Sequence, residues 1–180
     1  MSLFEPEGLW QAVRERIAQR GALAWLLLVP IVGGLAVALA AETGVRVFNT
    51  EWSPVFGYSA RPDDDGARLR LLWVGLASAP WVQAAVGGMI LPLYGVPRRW
   101  LVALAVAVVG ALPLYVAGLA LILLPGIMLV LLAFSVSFVW WTTGACELLD
   151  VPRGEGTEFV TVTVFASSSV LFLCSTAFTF

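Results

Sequence analysis

The sequence contains no histidine and no lysine, and charged residues make up only 12% of its 180 residues. A soluble domain carries about 25% charged residues, so this composition is not that of a soluble protein. Without histidine and lysine, the chain lacks the usual general base, the commonest metal ligand and any Schiff-base nucleophile. We therefore expect no enzymatic activity, no metal site and no cofactor.

Cysteine is also scarce. Cys146 and Cys174 are isolated, and neither belongs to a CxxC or similar ligand spacing, which argues against a metal site or a disulfide framework. Buried thiols of low reactivity are the expectation for both. The net charge of −2 provides no basic surface of the kind that nucleic-acid-binding proteins present, so nucleic acid is not an expected partner.

Hydrophobic residues, by contrast, make up 60% of the chain, and they occur in five runs near membrane-spanning length. About 20 helical residues cross a hydrocarbon core of about 30 Å, and a backbone inside lipid must pair its own polar groups. The sequence therefore predicts an all-α, polytopic membrane protein with a bundle of five transmembrane helices in a single membrane domain, residues 1–180. The predicted spans are residues 22–41, 69–93, 100–121, 126–148 and 159–180.

One alternative concerns the first span alone. Ala38-Leu39-Ala40 resembles the small-residue cleavage site of a signal peptide. A membrane span is the preferred interpretation, because the runs that follow are spans in their own right.

Residues 2–20 form a short amphipathic segment before the first span. Leu9, Trp10, Val13 and Ile17 fall on one face at helical spacing. A short helix with tryptophan at its apolar edge is suited to the headgroup boundary, so we predict an interfacial helix. The alternative is that this face packs on the bundle or on a partner.

The placement of the arginines predicts the orientation. With five spans, one side of the membrane receives six arginines and the other side four. The first group lies in the N-terminal segment and in the connections 94–99 and 149–158. Because cytoplasmic loops carry the excess of basic residues, we expect a cytoplasmic N-terminus and an external C-terminus.

The candidate functional residues are few. Arg98 and Arg99, in a short connection at the predicted inner face, are expected to contact anionic lipid headgroups. Gln83 is strongly polar near the middle of the second span, where polar groups are candidates for function, although one glutamine often serves as a link between helices. Ser167, Ser168 and Ser169 give the fifth span small hydroxyl side chains, for which close helix packing is preferred over a polar solute path.

The order of elements resembles the Yip family of five-span membrane proteins, and particularly its small bacterial inner-membrane branch. Four features carry the resemblance. They are the opening Leu3-Phe4-Glu5-Pro6 followed by Trp10, the first span with Pro30 and its exit 44–48, the proline Pro113 in the third span, and the stretch 144–156, in which a glycine and apolar residues precede a charged, glycine-ended turn. The resemblance implies a fold and a bacterial inner-membrane location. It implies no reaction, and the acidic signature of the eukaryotic, GTPase-binding branch is missing.

Three functional classes follow, and the least favoured is an intramembrane enzyme, whose candidate acids Glu147 and Glu158 are predicted at helix ends with no base or nucleophile beside them. The first is a non-catalytic membrane protein that organises or stabilises membrane components, or acts as a small subunit of a larger assembly. Its partners would be membrane lipids and either other membrane proteins or further copies of the chain. The alternative is a small-solute transporter or channel, with Gln83 and the hydroxyls of the fifth span lining its path. Transporters usually contain an internal repeat, and five unequal spans provide none unless a homo-oligomer supplies the symmetry.

Overall fold

A computed structural model describes residues 7–19, 21–48, 65–120 and 127–177. Every regular element within these residues is helical, which confirms the all-α prediction. A 3₁₀ turn, Leu91–Tyr94, follows the third helix. The helices are α1 Glu7–Ile17, α2 Ala22–Phe48, α3 Asp65–Ile90, α4 Trp100–Ala120, α5 Ile127–Leu148 and α6 Gly156–Ala177.

Five helices, α2 to α6, are long and apolar enough to cross a membrane. The chain is therefore an integral membrane protein with five candidate spans. The helix boundaries differ from the predicted spans mainly at polar residues: α2 continues to Phe48, α3 begins at Asp65 and α6 begins at Gly156. Residues 2–6, 20, 121, 126 and 178–180, which form the other predicted boundaries, lie outside the described residues.

Four helices form a ring in which α3 packs on α4, α4 on α5, α5 on α6 and α6 on α3. Helix α2 packs against α3 and α4. This arrangement makes α4 the most buried span, and small side chains such as Ala105 and Ala107 line much of its surface. Small residues allow helix backbones to approach closely, which increases the van der Waals contact that favours helix association in lipid.

Close approach is most evident between α2 and α3. A Cβ atom added to Gly34 would lie 2.9 Å from the backbone nitrogen of Ala77, so only glycine fits there. The Trp73 indole of α3 donates a hydrogen bond of 3.1 Å to the Ile31 carbonyl of α2. The Trp141 indole of α5 similarly donates to the Ala107 carbonyl of α4 at 3.2 Å. Aromatic donors thus connect neighbouring helices.

A third aromatic side chain donates a hydrogen bond to a main-chain carbonyl of α3 that has no donor within α3. Proline has no N–H, so Pro80 cannot donate to the carbonyl of Leu76 one turn earlier in α3. The Tyr115 hydroxyl of α4 donates to that carbonyl at 3.0 Å. The Tyr115 ring also lies against Gly33 of α2, where an added Cβ would meet it at 3.1 Å. Tyr115 therefore joins three helices at the proline of α3.

The N-terminal helix α1 does not expose its apolar face to lipid as an interfacial helix would. Trp10 and Val13 are buried, and α1 contacts α4, α5 and α2. The alternative, that this face packs on the bundle, is the one found. Sequence periodicity locates an apolar face, but it does not identify what covers that face.

The two cysteines also differ from expectation. Cys146 is half-buried in α5, and Cys174 is exposed on α6. The expectation of buried thiols is therefore wrong for Cys174, because α6 presents much of its surface outward. Phe165, Phe172 and Leu173 of the same helix are more than three-fifths exposed, as expected for side chains that face lipid.

Candidate functional site at one end of the bundle

Three segments that are far apart in the sequence meet at one end of the bundle. They are helix α1, the connection from Leu91 to Arg99, and the connection from Leu149 to Glu155. Trp10 and Arg14 of α1 bond to residues at the end of α5, and Arg99 bonds to Asp150. This arrangement agrees with the five predicted spans. If the spans cross the membrane in alternate directions, the N-terminal segment and the connections after the second and fourth spans lie on the same side. We call this region the polar end.

Trp10 attaches α1 to the polar end. Its indole is 1% exposed and donates to the Thr143 hydroxyl at 3.0 Å. Thr143 in turn donates to the Val139 carbonyl at 2.9 Å. A Cβ atom on Gly144 would lie 2.7 Å from two atoms of the Trp10 ring. The α5 surface therefore has a glycine-lined recess that fits this one indole.

Arg14, one turn further along α1, donates to the main-chain carbonyl of Glu147. The last four carbonyls of a helix have no partner within the helix, and they carry its partial negative charge. A cation from another element at this position satisfies one carbonyl and favours the dipole. Arg14 thereby caps α5 from outside, which fixes its guanidinium at the polar end.

An unusual residue, Asp150, follows the end of α5. Asp150 has a φ of +61°, a left-handed conformation that glycine usually adopts at this place. The Val151 N–H donates to the Ala145 carbonyl at 3.2 Å, which satisfies one of the last carbonyls of α5. Asparagine and aspartate tolerate this conformation better than other side chains do. The result is a carboxylate, rather than a bare glycine, at the end of the helix.

That carboxylate pairs with Arg99, whose Nη1 lies 2.6 Å from Asp150 Oδ2. A second pair joins Arg153 to Glu147 at 3.2 Å. The side chains of the first pair are 43% and 60% exposed, and exposed pairs contribute only about 0–1 kcal/mol to stability. The Arg99–Asp150 pair therefore orients two side chains more than it stabilises the fold.

Two adjoining clefts open at the polar end. The first has a volume of about 390 Å³ and is lined by Arg14, Ile17, Arg99, Val102, Leu148 and Asp150. We call it the Arg14–Arg99 cleft. The second, of about 540 Å³, lies beside Trp10, Glu147 and Arg153. Arg14 and Leu148 line both clefts. The first cleft places two guanidinium groups and one carboxylate beside three aliphatic side chains, so it suits an anionic ligand with an apolar part.

The two predicted headgroup residues have different surroundings. Both arginines are exposed in the connection before α4. Arg99 pairs with Asp150 and lines the cleft. Arg98 forms no ion pair with any residue that the structure describes. The structure therefore separates two neighbouring residues that the sequence treats as equivalent.

The predicted intramembrane polar residues lie in α3 and α6 and are not brought together into one site. Gln83 is half-buried in α3, one turn before Gly87, which packs on Thr163 of α6. Ser167 is buried and donates to the Thr163 carbonyl at 2.5 Å. Ser168 and Ser169 are exposed, and Ser169 donates to the Phe165 carbonyl at 2.9 Å. The expected packing against neighbouring helices thus applies to Ser167 and does not apply to Ser168 or Ser169.

Sequence reasoning did not identify Arg14, Asp150 and the Trp10 recess as parts of one site. Opposite charges at segment ends on the same predicted side were the only available signal, and they do not specify which residues pair. Among the residues that the structure describes, no three metal-ligating side chains form a group that would hold an ion.

Comparison of the chain with protein-family models, with curated proteins and with solved structures gave no match. The Yip resemblance therefore stays a prediction.

Proposed function

We propose that this chain is a non-catalytic membrane protein of the Yip type, in a bacterial inner membrane, which organises or stabilises other membrane components or forms a small subunit of a larger assembly. Its working surface is the polar end, which lies on the cytoplasmic side. One observation carries the proposal: three separate segments meet at that end, where the Trp10–Thr143 bond, the Arg14 cap and the Arg99–Asp150 pair connect them.

The chemistry of the polar end favours binding over reaction. Arg14 caps a helix end, and two ion pairs join Arg99 to Asp150 and Arg153 to Glu147. A catalytic site needs a nucleophile or base held beside an acid or an oxyanion donor. Arg14, Arg99 and Asp150 instead provide fixed charges of both signs beside apolar surface, which is an arrangement for recognition.

The sides of the bundle support the same proposal. Helices α2 and α6 present large apolar side chains outward along their lengths, including Leu28, Val32, Phe165 and Phe172. Such surfaces are suited to lipid and to other spans. The chain therefore has lateral surface available for neighbours and a fixed polar surface at one end.

The alternative, transport of a small solute, is favoured by Gln83, a half-buried amide that makes no hydrogen bond to any residue that the structure describes. The hydroxyls of α6 weigh against it. Thr161, Thr163, Ser167 and Ser169 each donate to a carbonyl four residues earlier in their own helix. Donors committed in this way are less available to a passing solute.

Extraction of the tagged protein in a mild detergent, followed by mass spectrometry of what co-purifies, tests the proposal. A recurring membrane-protein partner is the expected result. Trp10→Ala should release that partner because it frees α1 from the polar end, whereas Trp100→Ala changes an exposed indole and serves as the control for a lost tryptophan. A homo-oligomer without partners that conducts a solute in liposomes, and loses conduction in Gln83→Leu, would establish the alternative instead.

A further inference from the structure

The Arg14–Arg99 cleft combines the features of a site for a phosphate attached to an apolar group. Its volume of about 390 Å³ lies in the range of about 300–1,000 Å³ that small-molecule sites occupy. Two arginines and one aspartate line the cleft, so its lining carries one excess positive charge. Ile17, Val102 and Leu148 supply an aliphatic wall. A free inorganic anion has no apolar group to pack against that wall, whereas a lipid can pack its glycerol and upper acyl carbons there.

Both arginines retain hydrogen-bond donors for a ligand. A guanidinium has five N–H donors in a planar fork that matches phosphate oxygens. Arg14 is bonded to the Glu147 carbonyl, and Arg99 is bonded to Asp150. The cap on α5 fixes one guanidinium, and the other is held by a carboxylate that a stronger anion can replace.

The depth of the cleft agrees with a lipid ligand. Arg99 immediately precedes the span that begins at Trp100, and Leu148 is the last residue of the span of α5. The cleft therefore opens where two spans reach the membrane surface. Lipid phosphates lie at this depth, between hydrocarbon and water.

We infer that the Arg14–Arg99 cleft binds the headgroup phosphate of an anionic phospholipid, which lies between the two guanidinium groups and displaces Asp150 from Arg99. The inference rests on the proposed function, which places the polar end on the cytoplasmic side, because the anionic lipids are in the cytoplasmic leaflet. Asp150 then acts as an internal counter-ion that occupies the site when no lipid is bound. This role gives a reason for a carboxylate at a helix end where glycine would be the relaxed choice.

The test uses the full chain, delipidated in a non-ionic detergent and titrated with dioleoylphosphatidylglycerol, with bound lipid counted by native mass spectrometry. Dioleoylphosphatidylcholine and glycerol 1-phosphate are the competitors. We expect phosphatidylglycerol to bind at least about tenfold more tightly than either competitor, since only it supplies both net charge and acyl chains. Equal binding of phosphatidylcholine would overturn the inference, and equal competition by glycerol 1-phosphate would reassign the cleft to a soluble phosphate.

Variants of neighbouring arginines distinguish a specific lipid site from non-specific electrostatic attraction of anionic lipid. Arg14→Gln and Arg99→Gln should each weaken phosphatidylglycerol binding about five- to tenfold, or about 1–1.4 kcal/mol, which is the scale of one basic residue at an anionic surface. Arg98→Gln removes the same charge from the same connection outside the cleft, and its effect should be less than about twofold. Equal losses in Arg98→Gln and Arg99→Gln would show diffuse attraction and overturn the site.

A variant that binds phosphatidylglycerol more tightly provides a test that misfolding cannot explain, because a misfolded protein would lose binding. Asp150→Asn keeps a side chain that tolerates the left-handed conformation but removes the competing charge, so phosphatidylglycerol should bind about five- to tenfold more tightly. Glu155→Gln is the matched control, because Glu155 is exposed on the same connection and does not line the cleft. No gain in Asp150→Asn, or an equal gain in Glu155→Gln, would contradict the displacement. Since the titration contains no partner protein, its failure leaves the co-purification result unaffected.

Discussion

The contact between Tyr115 and the proline-containing helix gives the sharpest prediction about the fold. Tyr115→Phe keeps the ring that packs on Gly33 and removes only the hydroxyl that donates to the Leu76 carbonyl at 3.0 Å. Pro80 cannot supply that carbonyl with a donor, so the substitution leaves it unpaired inside the bundle. We expect a loss of stability because no other group of α3 replaces the bond.

The magnitude follows from two limits. A buried polar group left unpaired costs about 1–3 kcal/mol, whereas hydrogen bonds between membrane helices contribute about 0.6 kcal/mol on average and at most about 1.7. Leu76 has no competing donor at Pro80, so the cost of Tyr115→Phe should lie near the upper membrane value, at about 1.5 kcal/mol. Tyr94→Phe is the control, because the Tyr94 ring packs edge-on against Phe159 and its hydroxyl bonds to no described residue. That variant should change stability by less than about 0.5 kcal/mol.

A double-mutant cycle with Pro80→Ala tests the cause directly. Alanine at position 80 supplies an N–H to Leu76, so Tyr115→Phe should then cost about 0.5 kcal/mol or less. The difference between the costs of Tyr115→Phe in the two backgrounds, about 1 kcal/mol, is the coupling energy. The packing cost of Pro80→Ala itself cancels from this difference, because it is present in both Pro80→Ala proteins. Unfolding of micellar protein by sodium dodecyl sulfate, followed by tryptophan fluorescence, measures all four variants. An equal cost of Tyr115→Phe in both backgrounds would refute the proline explanation.

Two further substitutions probe α6 and α1. Ser167→Leu should destabilise the protein by about 1–3 kcal/mol in detergent melts because Ser167 is buried and leucine would overpack the helix contact. Ser169→Leu, at an exposed position of the same helix, should change the stability by less than about 0.5 kcal/mol. Equal shifts in the melting temperature of the two variants would contradict the assignment of Ser167 to the buried face of α6 and of Ser169 to its exposed face. Gly144→Ala should push Trp10 from its recess, so trypsin should cleave α1 after Arg16 several-fold faster, while Gly154→Ala, with open space around it, should not. Unchanged cleavage in Gly144→Ala would show that α1 does not depend on the recess.

The spans were predictable because length and hydropathy are properties of each segment alone. The beginning of α6 was not predicted correctly, since Gly156, Thr157 and Glu158 are polar and suggest a loop. An acidic residue in the first turn is favourable at the positive end of a helix, and the Phe159 N–H donates to the Glu155 carbonyl at 2.9 Å. Polar residues thus start this helix instead of preceding it.

The candidate site was only partly predictable. The sequence indicated that Arg99 lies at a basic surface, but its partner Asp150 is 51 residues away, and no local pattern links the two. Helix α1 shows the same limitation, because the spacing of Leu9, Trp10 and Val13 predicts an apolar face equally well for a membrane surface or a protein surface. Contacts between distant segments depend on the packing of α4 and α5, which hydropathy does not specify.

We propose above that the polar end is the working surface and faces the cytoplasm. Labelling of single cysteines in intact cells by a membrane-impermeant maleimide tests it most directly, with Cys146→Ala and Cys174→Ala as the background. Gly154→Cys marks the polar end, and Ala67→Cys marks the first turn of α3, at the opposite end of that helix. We predict that Ala67→Cys is labelled in intact cells and that Gly154→Cys is labelled only after the cells are opened. Labelling of Gly154→Cys in intact cells would place the polar end outside the cytoplasm and contradict the proposed orientation.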